Sequence, residues 1–384
     1  MIDVDFDTVI DRRNTDSLKW EKYRGTGILP LWVADMDFAS PPAVIAALQE
    51  RAAHGVFGYT VPSRELTETI ISRFARLYRW SIAPEWIVWL PGLVTGLNVV
   101  CRGIGAPGDH VMTATPVYPP FLSGPGNNDK TLITVPLRNE ENRWFMAISD
   151  FEKAVTERTR LYILCNPHNP VGRMFERSEL TALLDFCCAH DLVICSDEIH
   201  CDLILDERKQ HIPFASLGPE AADRCISLFA PSKTYNIPGL GCAFAVISNT
   251  GLRRRFKTAM QRIVPEINCF GYVGALAAYR HGDAWLAALL EALRENHRHV
   301  QKAVAGMPGV TMTPVEATYL AWLDMRPTGI KELVKFFEAA GVGLSDGTEF
   351  GLPGFVRLNF GCPSSTLHAA LTRMQQALAK EVTR

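Results

Sequence analysis

The sequence predicts an α/β protein with a large domain on a mostly parallel sheet sandwiched by helices and a smaller α+β domain beside it. Three observations carry this. The chain has 384 residues, a length that suits two or three domains. Strand-like apolar runs alternate with helix-like stretches through its middle, the pattern of a sheet covered on both faces. From about residue 251 the character changes to long helical patterns with only two strand candidates.

The elements follow in order. The run at 86–90 (WIVWL) reads as a strand stopped by Pro91-Gly92, and a small-residue amphipathic stretch continues to Gly105. Pro107-Gly108-Asp109 makes a turn, and His110 to Thr113 reads as the next strand. Further strands are read at 161–165, 192–196, 225–230 and 243–248, with a helix at about 177–190. Helices at 251–263, 283–305 and 330–341 and strands at 319–324 and 355–360 complete the pattern. These place the large domain at 46–280 and the small domain at 281–384, with residues 1–45 packing on the latter.

Composition excludes several classes. Hydrophobic residues make up 47% and charged residues 21%, ordinary for a globular chain with a large core. Basic and acidic residues number 39 and 41, so no global field favours nucleic acid or a membrane surface. No apolar run approaches the roughly 18 residues of a transmembrane helix, and the acidic start is unlike a signal peptide. Ten scattered cysteines without C-x-x-C or zinc spacing read as buried reduced thiols, so the expectation is a cytoplasmic protein with no metal site.

In an open parallel sheet, ligands bind beyond the carboxyl ends of the strands. Four loops begin at such ends, and each carries unusual residues. Leu90 to Gly96 runs from strand to helix, where free N–H groups suit an anion, although an ordinary turn would read the same. Thr115-Pro116-Val117-Tyr118-Pro119-Pro120-Phe121 is stiffened by proline and either presents Tyr118 to a planar ligand or buries it. Asn166-Pro167-His168-Asn169-Pro170-Val171-Gly172 holds two asparagines extended, with amides free for a ligand. Ser196-Asp197-Glu198-Ile199-His200 places at a strand end an aspartate that needs a cationic or hydrogen-bonding partner, and His200 reads either as a ligand or as a core histidine. A fifth segment, Ala230 to Asn236, puts Lys233 among small and hydroxyl residues, where desolvation makes an amine a usable nucleophile or base.

One ligand accounts for all five. A planar pyridine aldehyde phosphate calls for a lysine to bond its aldehyde, an acid opposite its ring nitrogen and a donor to its phenolic oxygen. It also calls for an aromatic on its face and a cradle for its phosphate.

These motifs resemble the pyridoxal-phosphate enzymes of fold type I, the aspartate aminotransferase fold with its seven-stranded sheet. Within that group Pro30-Leu-Trp-Val-Ala-Asp-Met-Asp-Phe38, Phe57-Gly-Tyr-Thr60, Ala230-Pro-Ser-Lys-Thr-Tyr-Asn236 and Val356-Arg-Leu-Asn-Phe-Gly361 are similar to the MalY/PatB-type cystathionine β-lyases. The resemblance covers essentially the whole chain. It implies that Lys233 bonds pyridoxal 5'-phosphate, Asp197 pairs with the ring nitrogen, Asn169 meets the phenolic oxygen near the substrate carboxylate, and Tyr118 stacks on the ring. Val94, Thr95 and Ser232 would hold the phosphate. Tyr59 would reach it from a neighbouring subunit, which implies a homodimer with shared sites. Arg357 would grip the substrate α-carboxylate through a two-pronged contact.

Two positions depart from the aminotransferase pattern. Three residues after the aspartate stands His200 rather than tyrosine, and eight after the lysine stands Gly241 rather than arginine. Both fit the C–S lyase branch, with His200 lying beside the cofactor. The resemblance thus implies β-elimination on L-cystathionine or related L-cysteine S-conjugates, giving a thiol, pyruvate and ammonia. Lys233, Tyr118 and Asp197 would be its catalytic groups. A class I/II aminotransferase acting on an L-amino acid is the alternative. A regulatory protein that only binds a partner through this fold would have no need of Lys233, Asp197, Asn169 and Arg357 together.

Overall fold

Seven strands form the central sheet of the computed structural model, which describes residues 5–382. In chain order they are β1 (Ile87–Leu90), β2 (His110–Thr115), β3 (Thr131–Pro136), β4 (Thr159–Cys165), β5 (Val193–Asp197), β6 (Cys225–Phe229) and β7 (Ala243–Val246). Their spatial order is 1-7-6-5-4-2-3, and every pairing is parallel except the two made by β7. The interior strands β4, β5 and β6 are apolar nearly throughout and buried on both faces, as expected when helices cover a sheet on each side.

The sequence reading did not give the helices Pro42–His54, Arg64–Tyr78, Cys269–His281 and Ser364–Val382, and two strands also differ from it. Strand β3 lies at the sheet edge with half its residues exposed, and its threonines hide it among polar loop residues. The apolar run at 243–248 is a strand of opposite direction, a property that periodicity alone does not carry. The other boundaries agree within a few residues: the expected helix at 330–341, for example, spans Leu333–Ala339.

A second, four-stranded antiparallel sheet lies in the C-terminal part. Its central strands, Leu320–Asp324 and Phe355–Asn359, are flanked by Thr311–Met312 and Ser345–Asp346. The N-terminal segment joins this region, with Leu29–Pro30 pairing in parallel with Val342–Gly343. It also meets the turn after β6 of the large sheet, where Asn236 bonds the backbone of Met36 and Phe38. The outer limits expected for the small domain, residues 1 and 384, lie outside the described residues. No helix among the described residues is long and apolar enough to cross a membrane.

The parallel strands β1, β2, β4, β5 and β6 end on one edge of the sheet. That edge faces the N-terminal segment and the second sheet, and a cavity of about 240 Å³ lies between them.

Candidate active site

Each strand end feeds one side chain or turn into this cavity. After β1, Gly92 leads into the helix Leu93–Gly103, whose first residues, Val94 and Thr95 among them, line one wall. Their N–H groups belong to the first turn of that helix and have no carbonyl to receive them within it, which makes the end attractive to an anion. Ser232 and Gly241 lie on the same cavity. Gly241 has φ +63°, and a β-carbon there would sit 3.3 Å from the Pro91 carbonyl oxygen. A side chain at that position is strained, so the missing arginine has a backbone reason.

After β5, Asp197 is buried and accepts one side-chain hydrogen bond, from the Ile199 N–H at 3.1 Å. Burial raises its carboxyl to about 7, against the pull of the Ile199 N–H and of Lys233. A buried carboxyl without a close cation suits a ligand that brings a positive charge of its own. His200 is 2% exposed on the cavity wall, and its Nδ1 has no hydrogen-bond partner. Burial first, then Lys233 and Arg357, lowers it to about 3, so its ring is neutral.

After β6, the Lys233 Nζ points to the N-terminal segment and donates to the Ala34 carbonyl at 2.5 Å. Burial lowers its amine to about 8; Asp35 opposes the shift and Arg357 adds to it. After β4, the two asparagines part company. Asn166 Oδ1 accepts from the Phe175 N–H at 3.2 Å, so its amide serves the protein's own turn rather than being free for a ligand. Asn169 lines the cavity and its Oδ1 accepts from Arg357 Nη1 at 3.0 Å. Tyr118 also lines the cavity, and its N–H donates to the Asn169 carbonyl at 3.1 Å. Burial raises the Tyr118 hydroxyl, so it stays protonated at neutral pH.

Arg357 enters from the second sheet. It is buried, its Nη2 donates to the Trp32 carbonyl at 2.9 Å, and its guanidinium lies over the Phe350 ring at 4.7 Å. Its Nε has no partner. Burial lowers it to about 10, which leaves it charged at neutral pH.

Nine of the ten residues to which the resemblance assigns a role thus meet in one cavity. Tyr59 is the exception: it is fully exposed on the loop between residues 55 and 63, with Phe57 and Val61 exposed beside it, and does not line its own chain's cavity. Cys165, Ile199 and Cys242 line the cavity without having been singled out, and so does the segment Val33-Ala34. Of these, Ile199 and Val33-Ala34 lay in motifs already quoted. The cavity suits a planar pyridine aldehyde phosphate. It offers an amine of lowered pKa, a buried acid short of a cation, an aromatic wall and a helix start for an anion.

Comparison with known proteins agrees. A family model described as aminotransferase class I and II matches residues 26–374. Cystathionine β-lyase PatB of Bacillus subtilis is 36% identical, in a match covering 98% of this chain and 100% of PatB. The crystal structure of a protein named OvoB is 46% identical, with a TM-score of 0.95 over 97% of this chain and 99% of OvoB. Cystalysin from Treponema denticola, whose crystal structure contains pyridoxal 5'-phosphate, is 32% identical, with a TM-score of 0.94 over 98% and 99% of the two chains.

Proposed function

Since the chain belongs to the aminotransferase class I and II family, and is a pyridoxal-phosphate enzyme of fold type I, we propose that it acts as a C–S lyase. Its reaction is β-elimination on L-cystathionine or a related L-cysteine S-conjugate, with release of a thiol, pyruvate and ammonia. The observation that carries the reading is the meeting of Lys233 and Arg357 at one cavity, a proton-accepting amine beside a carboxylate-binding cation. Relatives named as cystathionine β-lyase over nearly the whole chain favour elimination as the outcome.

Bound at Lys233, the cofactor supplies an electron sink for the pair left at the substrate Cα. Arg357 binds the α-carboxylate and so fixes which bonds of Cα face Lys233. The Lys233 amine, lowered to about 8, is a usable base near neutral pH and takes the Cα proton. Asp197 would pair with the ring nitrogen and hold a proton there, which would keep the electron demand on Cα. Tyr118, kept protonated by burial, or Lys233 gives a proton to the sulfur as the Cβ–S bond breaks. His200 stays neutral and adds no competing charge. Val94, Thr95 and Ser232 would hold the phosphate, and Asn169, already bonded to Arg357, would meet the phenolic oxygen.

The proposal includes a cytoplasmic homodimer in which Tyr59 of one copy completes the phosphate site of the other, supported by the exposure of Phe57, Tyr59 and Val61. The proposal divides the chain into a large domain of 46–280 and a small domain of 1–45 and 281–384, a division supported by the separate four-stranded sheet of the C-terminal part. An aminotransferase reading is favoured by the description of the family model, and it shares every residue role up to removal of the Cα proton. The two part at loss of the β-substituent. Pyruvate release from L-cystathionine without a keto acid tests the choice.

A further inference from the structure

Between Arg357 and Lys233 runs the segment Trp32 to Met36, and each of its five consecutive carbonyls accepts from a side chain. Arg357 holds the carbonyl of Trp32, Asn359 those of Val33 and Asp35, and Asn236 that of Met36. The Ala34 carbonyl accepts two donors, the Lys233 Nζ at 2.5 Å and the Tyr319 hydroxyl at 2.9 Å. Tyr319 is fully buried and immediately precedes the Leu320–Asp324 strand of the second sheet, 285 positions from Ala34. The residue before it, Thr318, is fully buried at φ +78°. A β-branched residue in the left-handed region is strained, and such strain survives where the surroundings over-determine it. Here they do: the Thr318 N–H donates to the Leu203 carbonyl at 2.8 Å, and its Oγ1 accepts from the Leu320 N–H at 3.2 Å.

We propose that Tyr319 is a positioning residue for Lys233, its hydroxyl fixing the Ala34 carbonyl that docks the free amine. The strained turn at Thr318 aims the phenol, the phenol holds the carbonyl, and the carbonyl sets where the amine waits before it bonds the cofactor and after it is released. The phenol also shares the oxygen's electron density, which weakens that oxygen's hold on an ammonium and favours the neutral amine. This rests on the reading of Lys233 as the residue that bonds pyridoxal 5'-phosphate.

The test is the rate at which cofactor-stripped protein captures added pyridoxal 5'-phosphate, followed by the absorbance of the lysine-bound form, in the natural chain and in Tyr319→Phe. The amine adds to the aldehyde carbon and water leaves, so no further reactant is needed. In the variant, capture at neutral pH slows about tenfold, the loss expected when a reacting group is held less well. The pH midpoint of capture moves up, a change that a merely structural role would not produce. Turnover falls with KM within about twofold, because Arg357 is untouched. Melting of the stripped variant reads folding separately, and loss of one buried oxygen leaves the apolar ring in place. Capture within about threefold of the natural chain, with an unmoved midpoint, would overturn the proposal. Absence of any lysine-bound absorbance in the natural chain would instead overturn the assignment of Lys233.

Discussion

Arg357 Nη1 donates to Asn169 Oδ1 at 3.0 Å across 188 positions, joining the second sheet to the loop after β4. With its contacts to the Trp32 carbonyl and the Ser345 hydroxyl, this bond fixes a buried guanidinium before any substrate arrives. The cost of ordering a long side chain is thus met in folding rather than in binding.

Replacing Arg357 with Ala therefore removes the cation proposed to bind the substrate carboxylate. KM for α-amino acids rises on the order of 10–100-fold, the equivalent of about 1.5–3 kcal/mol for a charged hydrogen-bonded contact. The fall in kcat is smaller where the contact is equal in ground and transition states. Steady-state kinetics check this, and an unchanged KM would move the carboxylate site elsewhere.

Under the proposed mechanism, Lys233→Ala removes the amine that would both bond the cofactor and take the Cα proton. The variant shows no absorbance of a lysine-bound cofactor and no turnover above background. Spectroscopy with a pyruvate assay reads both. Full activity in this variant would end the mechanism.

Asp197 carries a pH signature in the stripped protein. Its folded carboxyl is raised to about 7 from an ordinary 3.8, so between these values the folded chain keeps a proton that the unfolded chain has lost. Its contribution to stability is complete at acid pH and disappears as pH rises through about 7. Asparagine has no such dependence. The melting temperature of Asp197→Asn relative to the natural chain therefore climbs between about pH 4 and 7 and levels off above. A difference independent of pH would contradict the raised carboxyl.

Lys19 and Asp37 form a buried ion pair at 2.7 Å, with Arg12 on the other carboxylate oxygen at 2.6 Å. Burial opposes ionisation of Asp37, and these two cations outweigh it, holding the carboxyl below its ordinary range. Lys19→Met leaves Arg12 as the sole cation and costs about 3 kcal/mol, the low end for breaking a buried pair. Urea unfolding measures it; a loss under about 1 kcal/mol would show that Arg12 suffices.

Much of the cavity was legible because its residues sit in turns with strong local chemistry. Pro91-Gly92, the two Asn-Pro pairs and the Asp197 and Lys233 segments each mark a strand end, and strand ends of a parallel sheet share one edge. What stayed hidden depends on distant partners. Nothing local in Asn166 and Asn169 tells that one amide turns inward to Phe175 and the other meets Arg357. Lys19, in a short helix at Leu18–Glu21, reads as a surface charge until Asp37 folds against it. Tyr319 looks like a strand residue, and only the tertiary fold brings its hydroxyl to Ala34. Edge strand β3 escaped because half of its residues, Thr131, Thr134 and Pro136, are exposed, and only Val135 is buried.

The central claim is elimination at a Lys233-bound cofactor, and the most direct test uses the purified protein loaded with pyridoxal 5'-phosphate, L-cystathionine and no keto acid. Pyruvate and free thiol are followed together. Equal release of both over many turnovers is the predicted result. No pyruvate, with the cofactor converted to its amine form, would contradict it and establish an aminotransferase.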